Sequence, residues 1–179
     1  MSSSWDEFKR KNAETVHSLK PRLNITIYGS YQPQKDYELL MAIKQHLIEN
    51  KYSNIALVTD FDDGTMDALA LSEACLKYSD VNFIIFTGTG MGKGATRELA
   101  YAATSQDMID KVSGCVVFDE IVEDRSSLSE LSLIDIRNSG IRRREFRTIE
   151  RLKEAIVWEA FWQLRRLSPR LVRRPESGA

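Results

Sequence analysis

The sequence predicts an α/β domain in which a parallel sheet of about five strands is covered by helices on both faces. Two observations carry that expectation. From Asn24 onward short β-rich runs alternate with longer segments of helical periodicity, and the runs are apolar almost throughout rather than at every second position. Alternation marks crossover units between parallel strands, and continuous apolarity marks strands buried on both sides.

Taken in order, Trp5 to Leu19 reads as an amphipathic helix that ends before Pro21, so residues 1–23 form a helical appendage outside the alternating unit. The strand runs are Asn24–Tyr31, Asn54–Phe61, Val81–Thr87 and Cys115–Ile121, all dense in Val, Ile and Phe. A weaker fifth run, Arg142–Thr148, alternates charge with Phe146 and is expected at a sheet edge. Between and after them, Tyr37–Lys51, Met66–Tyr78, Ala95–Ser105, Ser127–Asn138 and Ile149–Leu167 carry apolar residues at helical spacing. The last is the clearest, with Ile149, Leu152, Ile156, Ala160, Leu164 and Leu167 on one stripe. Trp158 and Trp162 fall off that stripe, which leaves two readings: packing under the tail, or a subunit interface. Residues 24–167 thus read as a single α/β domain, and 168–179 as a basic, disordered tail.

At 179 residues, 42% apolar and 28% charged, the chain can bury one sizeable core. No apolar run approaches the roughly 18 residues of a membrane span, and the N-terminus lacks the apolar stretch of a signal peptide. A cytoplasmic protein without a membrane partner is expected. Cys75 and Cys115 are far apart with no CxxC pair, which argues against a disulfide framework or a zinc site and for two buried small residues. The 25 basic residues against 26 acidic ones rule out an overall field aimed at nucleic acid. Two local arginine clusters remain, Arg142 to Arg144, and Arg165, Arg166, Arg170, Arg173 and Arg174. No aromatic platform is interleaved with either run, so a solvated face and frayed tail is favoured over a nucleic-acid arm.

In an open parallel sheet, ligands bind beyond the carboxyl ends of the strands. The first strand runs into Gly29-Ser30-Tyr31, the second into Asp60-Phe61-Asp62-Asp63, and the third into a segment holding Gly88, Gly90, Gly92, Lys93 and Gly94. Four glycines allow backbone to approach a ligand closely, and the following helix N-terminus favours anionic groups, so this segment reads as an anion or ribose cradle. It is neither a Walker loop, which would need Gly at Thr87 and Ser or Thr at Gly94, nor a dinucleotide GxGxxG, which breaks at Lys93. Glu98 is expected in the first turn of the next helix, facing the crevice, with Lys93 and Arg97 as partners. Asp60, Asp62 and Asp63 are candidates for a ribose hydroxyl or magnesium, or simply a solvated turn. His17 and His46 lie away from the strand ends and read as surface or packing residues.

The run Gly94-Ala95-Thr96-Arg97-Glu98-Leu99-Ala100-Tyr101-Ala102, arriving after the third strand, resembles the GT-x-x-E-x-GYA segment of nucleoside 2-deoxyribosyltransferases. Ile27 to Tyr31 is similar to that family's opening Y-x-A-G-P stretch, and Tyr78-Ser79-Asp80-Val81 to its C-D-x-V lead into strand three. The resemblance implies a doubly wound, Rossmann-like or flavodoxin-like domain, a homo-oligomer, and Glu98 as the nucleophile at the anomeric carbon of a nucleoside or nucleotide. It also implies sugar-site roles for Gly29, Ser30, Tyr31, Asp60, Asp62, Gly88, Gly90, Gly92, Lys93 and Gly94, with no cofactor and no metal. The chain departs from the pattern at Ala95, at Ala100, and at Ser72, which stands where the family has an acid that helps at the base. Glu73 and Asp67 lie near that position, and Asp119, Glu120 and Glu123 or a neighbouring subunit are further sources of the acid. Gly92 to Glu98 also resembles the GGxGTxxE segment of cytokinin-activating nucleoside monophosphate phosphoribohydrolases, whose second glycine-rich segment after strand one is missing here. Beside these readings stand a nucleotide-binding or sensing domain without turnover, and an oligomeric scaffold.

Overall fold

The computed structural model describes residues 3–32, 34–87, 93–117 and 140–174, with side chains described for all of these but 93–96, 115–117 and 143. Five strands form one sheet: β1 (Ile25–Tyr28), β2 (Ile55–Leu57), β3 (Val81–Thr87), β4 (Val112–Val117) and β5 (Arg142–Phe146). Their order is β2-β1-β3-β4-β5 and every pairing is parallel, the doubly wound order of a flavodoxin-like fold. Register is set by facing pairs such as Ile25 with Ile55 and Val81, and Phe86 with Val116.

The helices are α1 (Ser4–Leu19), α2 (Gln34–Glu49), α3 (Ala68–Tyr78), α4 (Lys93–Ala102), the short α5 (Gln106–Ile109) and α6 (Ile149–Arg173). Alternate side chains of each strand feed two cores. Ile25, Ile27, Leu57, Val81, Phe83 and Ile85 pack with α2, α6 and the end of α1, while Tyr28, Ile84, Phe86 and Val112 pack with Leu71, Leu76, Leu99 and Ala102 of α3 and α4. The sheet is therefore covered on both faces. No helix among the described residues is long and apolar enough to cross a membrane.

Several boundaries differ from those read in the sequence. The fourth strand begins at Val112 rather than Cys115, because fully buried Val112 pairs with Asn82 and Ser105 caps a separate short helix just before it. Residues 118–139, with the helical segment expected over Ser127–Asn138, lie outside the described residues. The fifth strand does occupy an edge. Trp158 and Trp162 stay exposed at 56% and 51%, so among the described residues no part of the tail packs over them.

The largest correction concerns residues 168–173, which continue α6 instead of fraying. Pro169 cannot donate to the carbonyl of Arg165, but the Ser168 hydroxyl does so at 3.0 Å, which satisfies the freed acceptor without ending the helix. Leu171 is fully buried in the first core, and Arg174 donates two bonds to the 4%-exposed side chain of Asp80 at 2.7 and 2.8 Å. Leu171→Ala should lower stability in urea by about 2 to 4 kcal/mol. An unchanged unfolding midpoint would restore the disordered-tail reading.

Candidate functional site

Strand order reverses at β1, whose neighbours are β2 on one side and β3 on the other, so the crevice beyond β1 and β3 is the expected ligand position. Gly29 leaves β1 with little room for a side chain: a Cβ there would lie 2.8 Å from a Leu40 methyl, which would have to move, and 3.3 Å from the Ile85 carbonyl oxygen. The loop backbone is thereby pressed between α2 and β3. Ser30 closes the next turn, its hydroxyl bonding the Gln32 carbonyl and accepting the Gln32 amide at 3.3 Å. Tyr31 then turns inward against Tyr37, ring centroids 6.2 Å apart.

Glu98 comes from the opposite face. Because α4 starts at Lys93 rather than Ala95, Glu98 stands on its second turn, past the strongest part of the helix dipole. Its environment is set by packing. The half-buried carboxylate accepts a bond from Ser72 of α3 at 3.0 Å, and Leu99 and Ala102 beside it are buried in the second core. Burial pushes the Glu98 carboxyl above its ordinary range, and the Ser72 hydroxyl pulls back against that rise. Two tyrosines share this neighbourhood. Tyr28 is raised well beyond its usual range by burial, with Cys75 and Glu98 adding, and its hydroxyl donates to Asn82 Oδ1 at 3.2 Å. Tyr31 is pushed up to about 12 by burial, offset in part by Thr59, with Glu98 adding to the rise. Its hydroxyl is buried with no group in full hydrogen-bonding geometry among the described residues.

One polar contact went unread in the sequence. Asp36, in the first turn of α2 and 3% exposed, accepts a 2.7 Å bond from Thr87 at the end of β3. It ties the helix after β1 to the strand that leads into the glycine segment. An acidic first-turn residue is an ordinary helix signal, so nothing local distinguished Asp36 from a solvated one.

The aspartates after β2 do not join Glu98. Asp60 Oδ2 accepts from Lys44 Nζ at 2.6 Å and from the Leu57 amide at 2.8 Å. Burial nudges its carboxyl upward, but Lys44 and that amide outweigh the effect and hold it below its usual range. Asp62 accepts the Gly64 amide and Asp63 accepts from Thr65, closing a tight turn in which Gly64 takes φ +77°. These three residues line a cleft of about 780 Å³ that runs beside β2 and α3, past Ile55, Cys75, Phe61 and Tyr78. Glu98, Ser72 and Tyr31 are not in its wall. Asp60 is thus held in an ion pair and Asp62 caps a turn, in a cleft whose wall does not include Glu98. Among the described residues no group of three or more His, Cys, Asp or Glu is gathered closely enough for a metal ion.

Gly88, Gly90 and Gly92 lie outside the described residues, as do Asp119, Glu120 and Glu123. Lys93 and Gly94 form the start of α4. Asp67 caps α3 by accepting the Leu69 and Ala70 amides, so it is committed to that helix. His17 is exposed and His46 faces Glu49 at 3.7 Å, both remote from the crevice.

The assembled group is a shielded carboxylate with one oxygen held by a serine, flanked by proton-bearing tyrosines. Such a carboxylate acts as a nucleophile above its own pKa and as an acid below it. Since Ser72 opposes the rise in the Glu98 pKa, Ser72→Ala should move the acid limb of any Glu98-dependent activity to higher pH. The plateau rate should fall only about tenfold, the scale of one hydrogen bond. An unmoved limb would separate Ser72 from Glu98 in function.

No protein-family model matches the chain, and no curated protein matches it.

Proposed function

We propose that the chain cleaves or transfers the N-glycosidic bond of a nucleoside or nucleotide, with Glu98 as the nucleophile. The observation that carries this reading is the Glu98–Ser72 pair: a half-buried carboxylate oriented by one hydrogen bond, beside the strand-order reversal of a doubly wound sheet. Ser72 occupies Oε1, which leaves Oε2 to attack the anomeric carbon. The C1′–N bond breaks as the C1′–O bond to Glu98 forms, and its electron pair leaves with the base, which takes up a proton. Water or a second base then attacks C1′, the ester bond breaks, and the Glu98 carboxylate is regenerated.

Tyr31 can offer this site a hydrogen bond but not a proton for the leaving base. Its hydroxyl keeps its proton up to about pH 12 and is buried without a settled acceptor. In this reading the sugar sits beyond the carboxyl ends of β1 and β3, beside Gly29 to Tyr31, and subunits of a homo-oligomer would complete the site. The acid that protonates the departing base in the deoxyribosyltransferases has Ser72 in its place here. Bases that leave readily as anions, or that are protonated from solvent, are therefore the favoured substrates.

The test is base release from a panel of deoxynucleosides, nucleoside monophosphates and a dinucleotide, with and without a free acceptor base, followed by chromatography. Acceptor-dependent exchange on deoxynucleosides supports transfer, and release from monophosphates alone supports a phosphoribohydrolase. If nothing turns over while a nucleotide raises the melting temperature, the chain is a nucleotide-binding or sensing domain.

A further inference from the structure

The two tryptophans that fall off the core stripe of α6 form a parallel stack on its exposed side, ring centroids 6.1 Å apart and planes within 1°. Arg144 of β5 lies over the Trp158 ring at 5.4 Å, so a guanidinium and two parallel, offset indoles gather on this side of α6. This places beside the Arg142 to Arg144 cluster the aromatic platform that its own stretch of sequence lacks. Among the described residues no ring but Trp158, and no cation, lies against Trp162.

Charge continues the line. Arg165, Arg166, Arg170 and Arg173 stand three, four, eight and eleven residues after Trp162, which is the same side of the helix. Arg165, Arg170 and Arg173 are exposed, and Arg166 leans toward Asp110 at 3.8 Å. At the other end Arg142 and Arg144 remain 41% and 37% exposed, while the Glu159 carboxylate between them is only 3% exposed. Their cationic edges therefore face outward and the balancing anion does not. Glu154, one turn before Trp158, is the exposed acid nearest this line on the helix.

We infer that this face of α6 binds single-stranded nucleic acid, with a base stacked on the outer face of Trp162 and phosphates along the arginines. A flat pair of parallel rings suits a planar base, and stacking with a cationic track is the common way of holding a single strand without sequence preference. A peptide partner would call for a pocket, and the 780 Å³ cleft is lined by residues beside β2 and α3, with neither tryptophan among them. A second copy meeting this face by a two-fold axis between the tryptophans would set the arginines at one end against those at the other, Arg144 facing the copy's Arg165 and the reverse, which repels. The face belongs to α6, in the core opposite to that of Glu98, and the inference does not depend on the glycosidic reading.

The test is fluorescence anisotropy of the full chain with a labelled oligothymidylate, repeated with an abasic strand of equal length, with polyglutamate, and at rising salt. Binding should weaken steeply with salt. Trp162→Ala should weaken it about ten- to a hundredfold and Trp162→Phe much less, with both variants showing the parent's circular dichroism. The abasic strand should bind more weakly and ignore Trp162→Ala. No binding to the oligothymidylate, or binding indifferent to Trp162, overturns the inference. So does equal binding of polyglutamate, or a concentration-dependent dimer that Trp162→Ala dissolves.

Discussion

Glu98→Gln should abolish base release, by about four orders of magnitude if Glu98 forms the covalent intermediate, while making the protein harder to unfold at neutral pH. The two effects have one cause. A carboxylate that must attack a carbon has to be ionised in a place that shields it from water, and the burial that raises its pKa is a cost the fold carries whenever it is charged. Glutamine keeps the shape and an oxygen to accept from Ser72, but it has neither the charge nor the nucleophile.

The direction with pH follows from linkage. The folded-state pKa of Glu98 lies above its ordinary value of 4.5, so the native state binds this proton more tightly than the unfolded chain does. Relative stability from this group is complete below the ordinary value and is lost as pH rises through the folded value. Thermal melts of Glu98→Gln and the parent should therefore coincide in acid and diverge toward neutral pH, the variant melting higher. Activity runs the other way, rising through that same window as the nucleophile ionises. A variant that melts lower at neutral pH, or that retains turnover, would remove Glu98 from the role assigned to it.

The large pattern of the fold was open to reading because it rests on local periodicity. Runs such as Val81–Thr87 are apolar almost throughout because α2 and α6 cover one face and α3 and α4 the other, and no long-range information is needed to see it. What escaped depends on pairs distant in sequence. Nothing near Asp60 says that Lys44, sixteen residues earlier, returns to claim its carboxylate. Ser72 reads as a missing acid until α3 and α4 are laid side by side and its hydroxyl meets Glu98, twenty-six residues on. Ser168-Pro169 is an ordinary helix stop, and only the Arg165 carbonyl bonded by Ser168, with Leu171 waiting to be buried, explains why α6 runs through it. Trp158 and Arg144 meet because β5 lies against α6, a contact that helix periodicity alone cannot report.

The same contact between β5 and α6 sets the second large expectation. Arg142 and Arg144 grip opposite oxygens of Glu159 at 2.7 and 3.1 Å, and Gln163 adds a 3.1 Å bond, so the edge strand is fastened to the helix through one buried carboxylate. The three members are not equivalent. Removing Glu159 leaves two guanidiniums that are more than a third exposed and can rehydrate, whereas removing both arginines leaves a carboxylate with almost no water and, among the described residues, Gln163 as its one side-chain partner. Arg142→Met with Arg144→Met should therefore cost about 3 to 5 kcal/mol, the scale of an uncompensated buried charge, and Glu159→Met should cost less. Changing all three to methionine should recover much of the loss, because apolar packing of similar volume replaces an ion pair without its desolvation cost. Urea unfolding of the four proteins, with hydrogen exchange at Arg142–Phe146 to follow the strand, measures this ordering. If the double arginine variant is no less stable than Glu159→Met, solvent reaches Glu159 once the arginines are gone, and the edge strand is held by its ladder to β4 rather than by the charge it covers.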